Sequence, residues 1–310
     1  MMKKISIVTP CFNEEGNIEE LYQQIKKIMA ALKGYSYEHI FIDNHSTDRT
    51  VALLRKISKT DKKVKVIINT RNFGHIRSPF YGLLQADGDA VISMASDLQD
   101  PPNLIPDFIK KWEEGYKVVM GVKTHSHENK IVYFLRTFFY RFLQQLSEIQ
   151  LVEHFTGFGL YDRQVIETLR SLNDPYPYFR GLIADLGYEH ATIAYDQPLR
   201  KQGITKNNFY TLYDMAMLGL TNYSKIPLRM ATILGFITAA LSAMVGFFYL
   251  VYKLTDWQNF SLGLAPLAVG LFFFSSVQLI FLGVIGEYIG SIYTQVLKRP
   301  LVIEQERINF

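Results

Sequence analysis

Asp97 and Gln99 stand two apart in the run Ala95-Ser96-Asp97-Leu98-Gln99-Asp100-Pro101-Pro102, directly after the apolar stretch Ala90 to Met94. A carboxylate and an amide oxygen at a strand end are hard ligands, suited to holding Mg2+ or Mn2+ against a diphosphate. The plain alternative is a surface turn closed by Pro101-Pro102. Two further windows have the same setting: Pro10-Cys11-Phe12-Asn13-Glu14-Glu15 and Asp43-Asn44-His45-Ser46-Thr47-Asp48-Arg49-Thr50. Each is also an ordinary helix start, in which Asn13 or Ser46 is an N-cap worth about 1 kcal/mol. Arg71-Asn72-Phe73-Gly74 and Lys123 follow two more apolar runs. Cys11 has no evident base partner and reads as a small buried residue. The seven histidines show no metal-ligand spacing, and His125 and His127 read as solvated loop residues.

The elements that must position these residues alternate. Ile5–Val8, His39–Ile42, Val64–Ile68, Ala90–Met94 and Lys117–Met120 are predicted strands. Glu14–Leu32, Asp48–Ser58, Ile76–Ala86, Leu104–Glu114 and Lys130–Leu146 space their apolar residues at three and four, as helices do. Strands alternating with crossover helices imply an α/β fold with a mostly parallel, doubly wound sheet covered on both faces. Ligands of such sheets sit at the carboxyl ends of strands, where the windows above fall. Tyr176, Tyr178 and Phe179, between and after Pro175 and Pro177, read as loop packing.

The chain has 310 residues, 48% hydrophobic and 20% charged, which excludes a disordered chain, a collagen, a disulfide scaffold and a coiled coil. Its 33 basic and 29 acidic residues leave +4, too little to indicate a nucleic-acid partner. A single cysteine permits no internal disulfide and fits a reducing compartment. The charge is unevenly spread. Met230–Tyr252 and Leu262–Ile285 are apolar runs of about 22 to 24 residues, enough at 1.5 Å per residue to cross a roughly 30 Å hydrocarbon layer. Tyr252 and Trp257 lie at the edges of the short link between them, as an aromatic belt would. Lys225 and Arg229 before the first run and Lys298-Arg299 after the second place both termini in the cytoplasm by the positive-inside rule. Gln278 in the middle of the second run and Glu287 near its inner end point to a packed helix pair or an oligomer interface. Phe209–Leu220 is amphipathic and fits either an interfacial helix or an ordinary domain helix. No cleaved signal is expected, because Ile5 to Val8 is too short and breaks at Pro10. The chain thus divides into a catalytic domain over 1–207, a juxtamembrane segment over 208–229, a two-helix membrane region over 230–294 and a cytoplasmic tail over 295–310.

Taken together, the windows after the strands resemble the family 2 glycosyltransferases of the nucleotide-diphospho-sugar (GT-A) fold. Within that family, the two apolar runs, Arg200-Lys201-Gln202-Gly203-Ile204-Thr205-Lys206 and Gly283-Val284-Ile285-Gly286-Glu287-Tyr288 are similar to polyprenyl-phosphate glycosyltransferases such as bactoprenol glucosyltransferases and dolichyl-phosphate mannose synthases. The resemblance implies transfer of a sugar from a nucleotide donor to a polyprenyl phosphate, with inversion, at a bacterial or archaeal cytoplasmic membrane, by an enzyme that is tetrameric in similar proteins. It places Pro10, Asn13, Glu14, Asp43, Asn44, Gly74 and Asp97 on the nucleotide, and Asp97 and Gln99 on Mg2+ or Mn2+. Arg200 and Lys206 would close over the phosphates as catalytic residues beside Asp97, and Lys123, Arg136 and Arg200 would receive the acceptor phosphate.

Three positions depart from the family pattern. Ala95 stands where Asp-x-Asp has its first acid, Asn44 where a second acid is frequent, and Gly157 where many bactoprenol relatives have Asp in Thr-Gly-Asp-Phe-Arg. A sugar hydroxyl acceptor would need a base at such a position, whereas a phosphate monoester, with a second pKa of about 6, is already anionic. Loss of an acid at Gly157 is therefore tolerable for a lipid-phosphate acceptor. The departures also motivate a catalytically silent membrane scaffold, and a glycan-extending synthase is a further alternative.

Overall fold

The computed structural model describes residues 2–124, 151–198, 209–256 and 264–310. The expected helix over Lys130–Leu146, the residues Arg136, Arg200 and Lys206, and Trp257 lie outside them.

The expected strands form at their expected places: β1 Lys3–Cys11, β2 Tyr35–Asp43, β3 Val64–Asn69, β4 Ala90–Ser93 and β5 Val118–Lys123. Three more were not foreseen, β6 Phe155–Asp162, β7 His190–Tyr195 and β8 Glu304–Ile308. All eight make one sheet in the order β7-β5-β6-β4-β1-β2-β3-β8. β1 pairs in parallel with β2 and β4, β2 with β3, and β5 with β7, but β6 is antiparallel to β4 and β5, and β8 to β3. The sheet is thus more mixed than the alternating pattern implied, because β6 lies antiparallel between β4 and β5, and β8 antiparallel along β3.

Helices α1 Ile18–Ala31, α2 Thr50–Thr60, α3 Gly74–Leu84, α4 Ile105–Glu113, α5 Arg163–Leu172 and α6 Phe179–Asp185 cover both faces. Side chains alternate across each strand, so Ile5, Ile7 and Phe41 pack under α1, α2 and α4 with Ile18, Leu21, Leu54 and Phe108. Val8, Ile40 and Ile42 face the other way, toward Phe80 and Leu83 of α3, Val165 and Leu169 of α5 and Leu182 of α6. Glu19 and Glu20 in the first turn of α1 complement its dipole. Asp162 caps α5 by accepting the Gln164 N–H at 2.9 Å.

Beyond the sheet, α7 Phe209–Tyr223 leads to two long apolar helices, α8 Ile226–Thr255 and α9 Leu264–Leu297. Both are long and apolar enough to cross a membrane, and none of their most apolar stretch is buried within the chain. α7 docks on the domain through Leu218, which clusters with Leu151 and Tyr178, and through Tyr223, whose ring lies 6.0 Å from that of Tyr178. It also meets the polar end of α9: Ser291 donates to the Asn222 side chain at 3.1 Å and Tyr213 to Glu287 at 3.1 Å. Glu287, read from sequence as pointing to a packed helix pair or an oligomer interface, meets α7 through the Tyr213 hydroxyl.

The chain after α9 returns to the sheet. β8 pairs along β3 with Val66 opposite Ile308 and Ile68 opposite Glu306. Arg55 pairs with Glu306, and the Asn309 side chain donates to Ser58 O at 2.7 Å and Val64 O at 2.8 Å.

Candidate active site

β1 to β5 and β7 all run in one sense, so Cys11, Asp43, Asn69, Ser93, Lys123 and Tyr195 end at one edge of the sheet, where β6 begins. Every described residue expected to bind nucleotide, cation or acceptor comes to this edge, on the loops that leave it.

The first two loops are built on each other. Asn13, in the left-handed region at φ 57, donates its N–H to Ser46 Oγ at 2.8 Å and accepts the Thr47 N–H on its side-chain oxygen at 2.8 Å. Glu14 donates its N–H to Thr50 Oγ1 at 2.9 Å, and its carboxylate accepts from Asn17 at 2.6 Å. Asp43 is fully buried and accepts from the Ser46 N–H at 2.9 Å and from its hydroxyl. Burial pushes the Asp43 carboxyl up, against the pull of those hydrogen bonds. Cys11, buried between the loops, has its thiol pushed well up by burial and then by Asp43, which makes it inert, as expected.

Asn44 reaches the third loop. Its amide donates to Asn72 Oδ1 at 2.8 Å and Gly74 O at 3.1 Å, while its oxygen accepts the Phe73 N–H at 2.9 Å and the Asn69 amide at 3.3 Å. Gly74 opens α3 at φ +86. The departure to Asn at 44 thus has a local cause: an Asp offers no donors to Asn72 and Gly74.

The fourth loop carries the cation candidates. Leu98 is held at φ 60, a conformation unusual for a bulky side chain, and this turn sets Asp97 and Gln99 around it. Asp97 is 9% exposed and accepts the Gln99 N–H at 3.2 Å on one oxygen. One carboxylate and one amide oxygen fit a divalent ion that takes its remaining ligands from phosphates and water. Among the described residues no group of three or more His, Cys, Asp or Glu gathers as a cation site, at this turn or elsewhere.

Asp100, in the expected window but not singled out from sequence, is buried behind this turn. Burial raises its carboxyl to about 6, opposed by the Ala95 N–H and by Lys123. Its hydroxyl partner, Tyr195, ends β7, with its ring 5.4 Å from Phe158. The run of β7 carried no polar signal that could have announced this pairing. Gly157, on the neighbouring β6, sits at φ +103 with Phe179 3.4 Å from where a Cβ would lie. Tyr176 and Tyr178 pack as expected of loop residues, Tyr176 donating to Asp214 at 3.3 Å. A cavity of about 230 Å³ between α7 and α9, lined by Asp214, Thr221, Glu287 and Ser291, includes none of the expected site residues.

The mixed α/β sheet, with acids and amides gathered on the loops at its strand ends, is a domain of GT-A type. Residues 6–170 match the model of Glycosyl transferase family 2, and the chain belongs to that family. It is 34% identical over 301 residues to the SfII prophage-derived bactoprenol glucosyl transferase of Shigella flexneri, covering 97% of each chain. It is 36% identical over 303 residues to the uncharacterized glycosyltransferase YkcC of Bacillus subtilis (strain 168), covering 97% of this chain and 93% of that one. Among solved structures, glucosyl-3-phosphoglycerate synthase from Mycobacterium tuberculosis with Mn2+, uridine diphosphate and phosphoglyceric acid gives a TM-score of 0.49 at 20% identity, over 71% of this chain and 76% of that one.

Proposed function

We propose that this glycosyltransferase moves a sugar from a nucleotide-sugar donor to the phosphate of a polyprenyl lipid at the cytoplasmic membrane face. The observation that carries the reading is similarity over nearly the whole length, long apolar helices included, to proteins named bactoprenol glucosyl transferases.

The chemistry follows from the acceptor. An anionic phosphate oxygen attacks the anomeric carbon from the face opposite the leaving group, and the bond to the nucleoside diphosphate breaks with inversion. No side chain has to take a proton from a phosphate monoester that is already ionised, so Gly157 leaves no step unserved. The chain must instead orient two phosphates and offset the charge that builds on the departing diphosphate. Asp97 and Gln99 would hold Mg2+ or Mn2+, which when bound supplies part of that neutralisation. Pro10, Asn13, Glu14, Asp43, Asn44 and Gly74 shape the nucleotide pocket largely through loops they tie together. Lys123 on the sheet edge, with Arg136, Arg200 and Lys206, brings positive charge to the acceptor and donor phosphates.

The membrane arrangement has support in β8. The chain leaves the domain through α8 and α9 and pairs again with β3 of the same domain. Two crossings return the chain to the side from which it left, which agrees with the positions of Lys225, Arg229, Lys298 and Arg299. The scaffold alternative loses one of its three motives, since Asn44 is accounted for by its hydrogen bonds.

The test is a label-transfer assay with purified full-length protein, undecaprenyl phosphate, Mg2+ or Mn2+ and a panel of UDP-, GDP-, CDP- and dTDP-sugars. Label entering the organic phase with one donor supports the reading and identifies the sugar. Nucleotide binding without transfer to any lipid phosphate would overturn the acceptor assignment, and absence of all binding would favour the scaffold.

A further inference from the structure

Asp97 and Gln99 lie in a short irregular turn that must hold its shape to present two ligands together. Two hydrogen bonds to one residue brace it. The Asp100 carboxyl, 8% exposed, accepts the Ala95 N–H at 2.8 Å on Oδ2, bracketing the turn from its far end. On Oδ1 it accepts the Tyr195 hydroxyl at 3.2 Å. Tyr195 is 6% exposed, and its hydroxyl also meets the Thr156 side chain on β6. Leu98 at φ 60 inside the bracket costs backbone energy that only surrounding contacts can hold in place.

We propose that Asp100 is a positioning residue: with Tyr195 it fixes the Ala95–Asp100 turn against the ends of β6 and β7, and so sets where Asp97 and Gln99 meet a divalent cation. This rests on the cation role given to Asp97 and Gln99 above and deepens it. Asp100 acts through the turn, because both its oxygens are engaged by protein donors. Alanine at 95 makes the brace more consequential, since residue 95 has no carboxylate of its own and meets Asp100 through its backbone N–H. Outer partners that orient ligands typically change metal affinity by about 10- to 100-fold when removed.

The experiment uses the full-length chain in detergent with Tyr195→Phe, Asp100→Ala and Asp100→Asn. It measures the Mn2+ concentration for half-maximal transfer, kcat at saturating Mn2+, Tm, and hydrogen exchange over residues 94–101 without nucleotide. Tyr195→Phe is expected to raise half-saturation about 10-fold, with kcat at saturating Mn2+ changed far less, and Asp100→Ala to raise it further. Asp100→Asn recovers part of the loss, because its side-chain oxygen can still accept the Ala95 N–H. A fall in Tm with unchanged Mn2+ half-saturation would overturn the proposal in favour of a purely structural buried carboxyl. If the unsubstituted chain neither transfers sugar nor binds nucleotide with any divalent cation, the functional reading fails and exchange decides alone. Faster exchange at the Ala95 amide in Tyr195→Phe supports the brace, and unchanged exchange overturns it.

Discussion

The Asn44 side chain donates to the Asn72 side-chain oxygen at 2.8 Å, joining the end of β2 to the loop that opens α3. Replacing it with Asp turns two donors into acceptors facing Asn72 Oδ1 and Gly74 O. Asn44→Asp is expected to destabilise the domain by about 1–3 kcal/mol and to weaken nucleotide binding. A thermal melt with and without nucleotide checks this, and an unshifted Tm would show that the two bonds donated by the amide are dispensable.

Gly157 gives a second prediction. Restoring an acid there by Gly157→Asp places an L side chain at φ +103. The strain costs on the order of 1–3 kcal/mol, so Tm falls while turnover per folded molecule stays broadly intact. A marked gain in kcat would show that a base had been missing.

Acid stability should depend on two neighbours on β2. Burial would raise the Glu38 carboxyl, but Lys4 at 2.7 Å, Lys65 at 2.8 Å and Ser6 outweigh it and leave it at about 2. Its stabilisation is fully present above the ordinary value of 4.5 and is lost as pH falls toward 2. His39, fully buried and lowered by burial to about 3, acts in the same direction: the unfolded chain takes up a proton below 6.5 and the folded one does not. Asp100, raised to about 6, acts the other way as pH falls from 6 toward 3.8, so each contribution is read as a difference: between pH 6.5 and 4 the Tm of His39→Leu should fall less, or rise more, than that of the unsubstituted chain, and the loss of Glu38 appears only below 4.5. Parallel curves for the two proteins would remove His39 from the account.

Deleting residues 304–310 should destabilise the catalytic sheet although they follow the apolar helices. The deletion removes the strand along β3 and the Asn309 bonds to Ser58 and Val64. Hydrogen exchange is expected to accelerate across β3, and unaltered protection there would make β8 a passive tail.

The sequence announced what the parallel centre requires and little of what the edges require. Strands β1 to β4 are buried on both faces along most of their length, and their centres, Ile5–Val8, Ile40–Ile42, Val64–Ile68 and Ala90–Ile92, carry the short β-branched runs that make them readable. β8 reads Glu-Gln-Glu-Arg-Ile, and its charges suit an edge strand whose pairing comes from a partner more than two hundred residues away. β6 contains Gly157 and Gly159, which weaken a strand signal, and β7 alternates only between exposed and half-buried positions until Tyr195, with two alanines among its six residues. The position of Asp97 and Gln99 after β4 is readable because loops leaving the carboxyl ends of such strands carry the ligand positions, and the structure places their turn there. The work of Asn44 was not, since its partners Asn69 and Asn72 meet it only once β2 and β3 lie side by side. Asp100 was hidden for a similar reason, its hydroxyl partner being supplied by β7.

The most direct test compares the full-length chain with Asp97→Ala for transfer of label from the nucleotide-sugar to undecaprenyl phosphate in the presence of Mn2+. The account predicts lipid-linked label that requires the lipid phosphate and is abolished in Asp97→Ala while the protein remains folded. Equal transfer by Asp97→Ala, or sugar released only to water whatever lipid is supplied, would contradict it.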